Sequence, residues 1–133
     1  MKPLATSTIE NNDIVVSILA ESVREATIAY QLRDDIIALI KQSNPTNIAI
    51  DLAKVKLIGS VGFLAFLGVR RHLGGGRIIL YGLSDPIRDM FAACRLIPAG
   101  TNATAPFELA LSREESLARL AMSPTLIDDG FVP

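Results

Sequence analysis

Apolar residues follow two patterns along the chain. Short continuous runs predict strands, and a spacing of three or four positions predicts helices. Short runs of β-branched and other apolar residues, bounded by turn formers, are typical of buried strands. Runs of this kind occupy residues 6–9, 13–20, 48–52, 77–81 and 107–111. Because Asn11 and Asn12 separate the first two runs, we expect these strands to form a hairpin.

Apolar residues that recur every three or four positions predict four helices. Three starts are marked by capping residues, namely Ser22 with Glu25, Asp85 before Pro86, and Ser112 with Glu115. The first helix ends at Asn44 and Pro45. We expect Cys94 to fill the core beside the third helix.

After the hairpin, the predicted helices and strands alternate, which is typical of an α/β domain with right-handed crossovers. We therefore predict a central mixed, mostly parallel sheet of about five strands with about four helices. One domain is expected over residues 1–122. Residues 123–133 are rich in proline, aspartate and glycine, and we expect a flexible tail there.

Composition excludes several classes of function. The chain has 133 residues, with 13 lysines and arginines against 14 acidic residues, so its net charge of −1 provides no field for nucleic acid. The longest apolar run, residues 57–69, is shorter than the roughly 20 residues that span a bilayer, so no membrane insertion is expected. A single cysteine excludes an internal disulfide, and we expect a cytoplasmic protein. The basic residues Arg70, Arg71, His72 and Arg77 are interpreted as solvated ends of a helix and a strand.

Residues 47–73 contain the candidate site. A strand is followed by a predicted loop at residues 54–58, and a helix then begins at Ser60 and ends at a glycine triplet, residues 74–76. The N–H groups of Val61, Gly62 and Phe63 are expected to be free donors at the positive end of this helix, where a phosphate or carboxylate would be stabilised. Ser60 is therefore either a functional site or a helix cap.

The sequence contains few residues that could carry out catalysis. One histidine and one cysteine do not make a zinc site, and the glycine triplet lacks the lysine of a phosphate-binding loop. His72 lies about three turns beyond Ser60 on the same helix, roughly 18 Å away by the helical rise, too far to act as its base. We expect no enzyme activity, no metal and no cofactor.

The candidate stretch resembles the signature of the STAS domain family, named for sulphate transporters and anti-sigma-factor antagonists. The resemblance is carried by Asp51-Leu52-Ala53-Lys54-Val55-Lys56-Leu57-Ile58-Gly59-Ser60-Val61-Gly62-Phe63-Leu64. The order of elements over residues 6–121, and Gly82-Leu83-Ser84 before the third helix, support it. The resemblance implies a STAS-like α/β fold.

The resemblance also implies a non-catalytic regulatory module, an anti-sigma factor antagonist. Its partner would be an anti-sigma factor that is also a serine kinase. The kinase would phosphorylate Ser60 and thereby release the partner, and a phosphatase would reverse this. The implied partner-binding residues are Gly59, Ser60, Val61, Gly62, Phe63 and Ser84. A soluble STAS-type subunit of a lipid or anion transport assembly is the alternative.

Two features of the sequence leave the interpretation open. Gly59 stands where the family signature has aspartate beside the acceptor serine, so both a phosphorylated Ser60 and a Ser60 that only caps the helix are retained. Phe63, Phe66, Leu67 and Val69 make the helix apolar on more than one face. Either the helix is wedged between the sheet and another helix, or part of its surface docks a partner.

Overall fold

The computed structural model describes residues 2–98 and 105–122. Within them, the strands are β1 (Ala5–Glu10), β2 (Asp13–Ile18), β3 (Ser22–Val23), β4 (Ile48–Asp51), β5 (Leu57–Ile58), β6 (Ile78–Tyr81) and β7 (Glu108–Leu109). The helices are α1 (Ala26–Ser43), α2 (Ser60–Leu73), α3 (Asp85–Ala93) and α4 (Arg113–Ala121). No helix in these ranges combines the length and apolar content that crossing a bilayer requires.

Five strands form the central sheet in the order β1-β2-β4-β6-β7. The strand pair β1–β2 is antiparallel, and the other neighbours are parallel. The predicted α/β class, with a mixed and mostly parallel sheet of about five strands and about four helices, is confirmed. The predicted hairpin turn is also present, since Asn11 adopts the positive φ of 60° that a tight two-residue turn uses.

Helices cover both faces of the sheet. One face carries the larger core, in which residues of α1, α2 and α3 pack on alternate positions of the strands. The other face carries a smaller core of Val15, Ala49, Ile79 and Tyr81 with Leu120 of α4. Because parallel strands are buried on both faces, their sequences are continuously apolar, which explains why these runs were recognisable.

The predicted helix start at Ser22 is wrong. Ser22 and Val23 form β3, and α1 begins at Ala26 with Glu25 as an N-cap that makes no side-chain hydrogen bond. β3 pairs in parallel with β5, so the end of the predicted loop at residues 54–58 is also a strand. Burial of Val23 and the backbone pairing of β3 outweigh a local serine cap worth about 1 kcal/mol.

The third helix starts and ends differently from the prediction. Ser84, not Asp85, is its N-cap, and the Ser84 hydroxyl accepts a hydrogen bond from the Ile87 N–H at 3.4 Å. Cys94 is exposed, which contradicts its predicted place in the core. Cys94 is the C-cap, and the left-handed backbone of Arg95 then turns the chain so that the core positions go to Leu96 and Ile97 instead.

The last helix begins as predicted, with the Ser112 hydroxyl accepting from the Glu115 N–H at 3.1 Å. The basic residues behave in two ways, since Arg71 and His72 are exposed whereas Arg77 is half-buried and holds Glu108 through two hydrogen bonds of 2.6 and 2.7 Å. This pair ties β6 to β7. The predicted tail at residues 123–133 lies outside the described residues.

Candidate functional site

The carboxyl ends of β4 and β6 lie side by side, with Asp51 paired to Tyr81. The Asp51 carboxylate accepts a hydrogen bond from the Ala53 N–H at 2.8 Å and so shapes the exit from the strand. Burial raises the pKa of the Tyr81 hydroxyl, and the Asp51 carboxylate raises it further, which keeps Tyr81 neutral. The chain leaves this edge in a fixed direction toward α2.

The segment between β4 and α2 is held by a second stretch of backbone. The Glu21 carbonyl accepts hydrogen bonds from Lys56 and Leu57 at 2.8 and 3.1 Å, and the Val23 carbonyl accepts one from Gly59 at 3.1 Å. Leu52, Val55 and Ile58 of the segment are buried. The residues before Ser60 therefore form a supported platform on β3.

Gly62 allows α2 to approach this platform closely. A Cβ atom at Gly62 would lie 2.6 Å from the Val23 carbonyl oxygen and 2.7 Å from Cγ1 of Ile58. These distances are shorter than van der Waals contact, so a residue with a Cβ forces a shift of the backbone. At Gly59, by contrast, a Cβ would meet Arg24 at 3.6–3.9 Å, and the backbone φ of −115° suits any residue.

Ser60 is the first residue of α2, and its side chain is exposed. The N-cap is Gly59, which makes no side-chain cap, so the helix-cap interpretation of Ser60 is wrong. The Gly59 carbonyl already accepts hydrogen bonds from Gly62 and Phe63 at 2.9 and 3.2 Å. Of the three amides predicted to be free, only that of Val61 lacks a backbone acceptor within the described residues, and the Ser60 N–H lacks one as well.

The first turn of α2 contains no acidic residue that would offset the helix dipole. By contrast, Asp85 lies in the first turn of α3. The hydroxyl of Ser84 is also engaged as the α3 cap, while Ser60 is not a cap. The two serines at this edge of the sheet are thus in different electrostatic settings, and only Ser60 faces an uncompensated helix start.

The predicted partner-binding residues fall into two groups. Ser60 and Ser84 are exposed, and Gly59 and Val61 are half-buried. Gly62 and Phe63 are buried. The structure brings Gly59 to Phe63 together in one helical turn. Ser84 lies at the same carboxyl end of the sheet, where Gly82 abuts Asp51 and Ala53. Their role in binding stays a prediction.

Apolar side chains near Ser60 reach solvent, and sequence reasoning missed them. Leu64, one helical turn after Ser60, is 61% exposed, and Leu57 of β5 is 50% exposed. Phe63 and Phe66 are buried against Phe91 of α3, and Val69 is buried beside Leu32 and Ile36 of α1, which confirms the wedged interpretation for these residues. The position of Leu64, on the Ser60 face and off the buried stripe, was a usable signal.

Gly59 offers a direct test of this geometry. We expect Gly59→Asp to raise the free energy of unfolding by a few tenths of a kcal/mol, because aspartate caps a helix slightly better than glycine and the dipole of α2 is uncompensated. Urea denaturation at pH 7 measures the change, and Gly59→Asn is the uncharged control. A decrease in stability would show that Arg24 does not tolerate the added side chain.

Taken together, these features define an α/β domain that presents a serine at the start of a helix. The model of the STAS domain family matches residues 8–102, well over half of the chain. The chain belongs to the STAS domain family.

Solved structures of similar fold agree with this assignment. The phosphorylated form of the Bacillus cell-fate determinant SpoIIAA is 22% identical, with 87% of this chain and 98% of that chain covered and a TM-score of 0.61. The unphosphorylated form of the anti-sigma factor antagonist SpoIIAA is 21% identical, with 88% and 97% covered and a TM-score of 0.61.

A STAS domain protein from Planctomyces limnophilus is 20% identical, with 90% of this chain and 97% of that chain covered and a TM-score of 0.69. Among curated protein sequences, none matches the chain significantly. At these identities the structural likeness shows the fold alone.

Proposed function

We propose that the chain is a non-catalytic regulatory module, an anti-sigma factor antagonist that acts in the cytoplasm by binding an anti-sigma factor with serine kinase activity. The observation that carries the proposal is the exposed Ser60 at the start of α2, with the exposed Leu64 one turn further along the helix and the exposed Leu57 in the platform that precedes it. Exposed apolar side chains that adjoin polar groups are typical of protein interfaces. His72 lies in the last turn of α2, roughly 18 Å from Ser60 by the helical rise, too far to act as a base.

We further propose that Ser60 is a phosphorylation site and that a phosphatase reverses the modification. The supporting arguments are the exposure of Ser60, the absence of an acidic residue in the first turn of α2, and the lack of a backbone acceptor among the described residues for the N–H groups of Ser60 and Val61. A phosphate there gains from the helix dipole within the free protein. In a complex, the same charge would be desolvated beside Leu57 and Leu64, so phosphorylation releases the partner.

Capture of the partner tests the proposal. The tagged chain is used to recover binding proteins from the source cell, and the recovered mixture is incubated with ATP and magnesium before intact mass measurement. We expect an anti-sigma factor kinase and an added mass of one phosphate that is lost in Ser60→Ala and kept in Ser84→Ala. Recovery of transport subunits alone would favour the alternative, a STAS-type subunit of a lipid or anion transport assembly.

The charge at position 60 is expected to control affinity. Ser60→Asp should weaken binding of the captured kinase by about 10-fold or more, because the carboxylate loses hydration in the interface, whereas Ser60→Ala should change it by less than about 3-fold. Calorimetric titration measures both, and Ser60→Asn is the matched uncharged control. Equal affinities of the aspartate and alanine variants would remove the switch while leaving partner binding intact.

A further inference from the structure

Arg24 lies beside Gly59, the residue that precedes Ser60. The pairing of β3 with β5 continues one residue beyond both strands, since the Val23 carbonyl accepts a hydrogen bond from the Gly59 N–H at 3.1 Å. A Cβ atom at Gly59 would lie 3.9 Å from the Cβ of Arg24 and 3.6 Å from its Cα. Positions 24 and 59 are therefore side by side, as paired residues of a parallel ladder are.

Both positions face solvent. Side chains alternate in direction along extended backbone, and Val23 and Ile58 are buried, so positions 24 and 59 are directed outward. Arg24 is exposed, and its guanidinium makes no ion pair with the residues that the structure describes. Because position 59 is glycine, no side chain stands next to Arg24 on the platform.

The charged residues around this place leave Arg24 available. Residues 21–25 and 53–60 contain three cations and two carboxylates, namely Arg24, Lys54, Lys56, Glu21 and Glu25. Glu21 lies 3.9 Å from Lys56, and the Glu25 side chain makes no cap hydrogen bond at α1. Residues 61–69 of α2 carry no charge. The surroundings of Ser60 thus have a small excess of positive charge, and Arg24 is the cation beside Gly59.

We propose that Arg24 pairs with the phosphate when Ser60 is phosphorylated and holds that phosphate on the free protein. This inference rests on the proposed modification of Ser60. Paired strands are about 4.8 Å apart and consecutive Cα atoms about 3.8 Å, so the Cα atoms of Arg24 and Ser60 are at most about 9 Å apart. An arginine and a phosphoserine side chain together span this distance, and a guanidinium binds phosphate through two parallel hydrogen bonds.

The pairing gives Gly59 a role in the switch. An aspartate at position 59, as in the family signature, would stand beside Arg24 and compete with the phosphate for the guanidinium. Glycine leaves the guanidinium to the phosphate. Docking of a partner onto the phosphorylated chain must then break the pair, so Arg24 strengthens the release that phosphorylation causes.

Phosphorus NMR of the full chain with phosphoserine incorporated at position 60 tests the pairing without the kinase. A pH titration follows the second pKa of the phosphate, which is about 6 in a free phosphoserine. A neighbouring cation favours the dianion and lowers this pKa. We expect Arg24→Gln to raise it by about 0.5 of a pH unit, the size of a favourable exposed ion pair, and Arg24→Lys to restore most of the decrease.

Arg71→Gln is the matched control, because Arg71 is an exposed arginine at the other end of α2, roughly 16 Å from Ser60 by the helical rise. The expected change is at most about 0.1 of a pH unit, since solvent and salt screen a charge at this distance. Equal shifts for Arg24→Gln and Arg71→Gln would overturn the proposal. A larger shift for Lys54→Gln than for Arg24→Gln would overturn it too, because the lysine would then hold the phosphate.

The Nε–H signal of Arg24 provides a second measurement, which needs no variant and keeps the test decisive if Arg24→Gln does not fold. Circular dichroism verifies folding. We expect this signal to shift as the pH passes through the pKa of the phosphate, and an unchanged signal would overturn the pairing. Failure of the proposed function is separate, since a Ser60 that no captured kinase modifies would contradict the modification while the titration still measures the pair.

Discussion

Phe91→Ala is expected to lower the free energy of unfolding by about 3–5 kcal/mol. Phe91 is fully buried in α3, and its ring meets Phe63, Phe66 and Phe107 edge to face at centroid distances of 4.9, 5.5 and 6.4 Å. Alanine removes all three contacts and leaves a cavity between α2, α3 and the strand region around β7. Because a domain of this size is stable by about 5–15 kcal/mol, the loss is a large share of the total.

Urea denaturation followed by circular dichroism measures this change. Ala93→Gly is the control in the same helix, because Ala93 is exposed and the substitution alters only helix propensity, by at most about 1 kcal/mol since Ala93 is the last residue of α3. A loss at Phe91→Ala no greater than the loss at Ala93→Gly would contradict the central position of the ring. The result also bears on the site, since Phe63 and Phe66 belong to α2, the helix that presents Ser60.

The fold was largely predictable because its signals are local. Buried parallel strands are continuously apolar, and the residues that cap or terminate helices, such as Ser112, Asn44 and Gly74, act on their own neighbours. The strand pair β3–β5 could not be predicted in this way. Each strand has two residues, and the pair exists because residues about 35 positions apart bury Val23 and Ile58 together.

The site was predicted in position but not in detail. Strand, connection and helix place Ser60 at a helix start, as expected, yet the preceding residue, Gly59, takes the N-cap position. The carbonyl of Gly59 also accepts hydrogen bonds from two of the three amides that were expected to be free, those of Gly62 and Phe63 in the first turn. Hydrogen bonds of this kind depend on exact backbone angles, which sequence pattern does not specify.

Gly59 and Gly62 differ in whether the structure leaves space for a side chain. Neither the backbone angles nor the space at Gly59 requires glycine, since its φ is negative and a Cβ would meet Arg24 at ordinary contact distance. The family signature with aspartate at this place is therefore compatible with this backbone. The absence of that side chain changes the charge at the start of α2, not its geometry.

Gly62→Ala is expected to lower the free energy of unfolding by about 1–3 kcal/mol, because overpacking against fixed atoms costs that amount. The added methyl would lie 2.6 Å from the Val23 carbonyl oxygen, and a backbone atom in a paired strand cannot rotate away. The start of α2 must therefore move away from β3, which displaces Ser60. If the proposed interface is correct, the folded variant also binds the partner more weakly.

Gly68→Ala is the matched control for Gly62→Ala, because both glycines lie in α2 and both gain helix propensity from alanine, worth up to about 1 kcal/mol. At Gly68 the Cβ would meet Cδ of Arg33 at 2.9 Å, near the end of a flexible side chain that can move. We therefore expect unchanged or slightly higher stability for Gly68→Ala. Thermal or urea denaturation of both variants compares them, and equal stabilities would show that β3 yields to the added methyl and does not fix the position of α2.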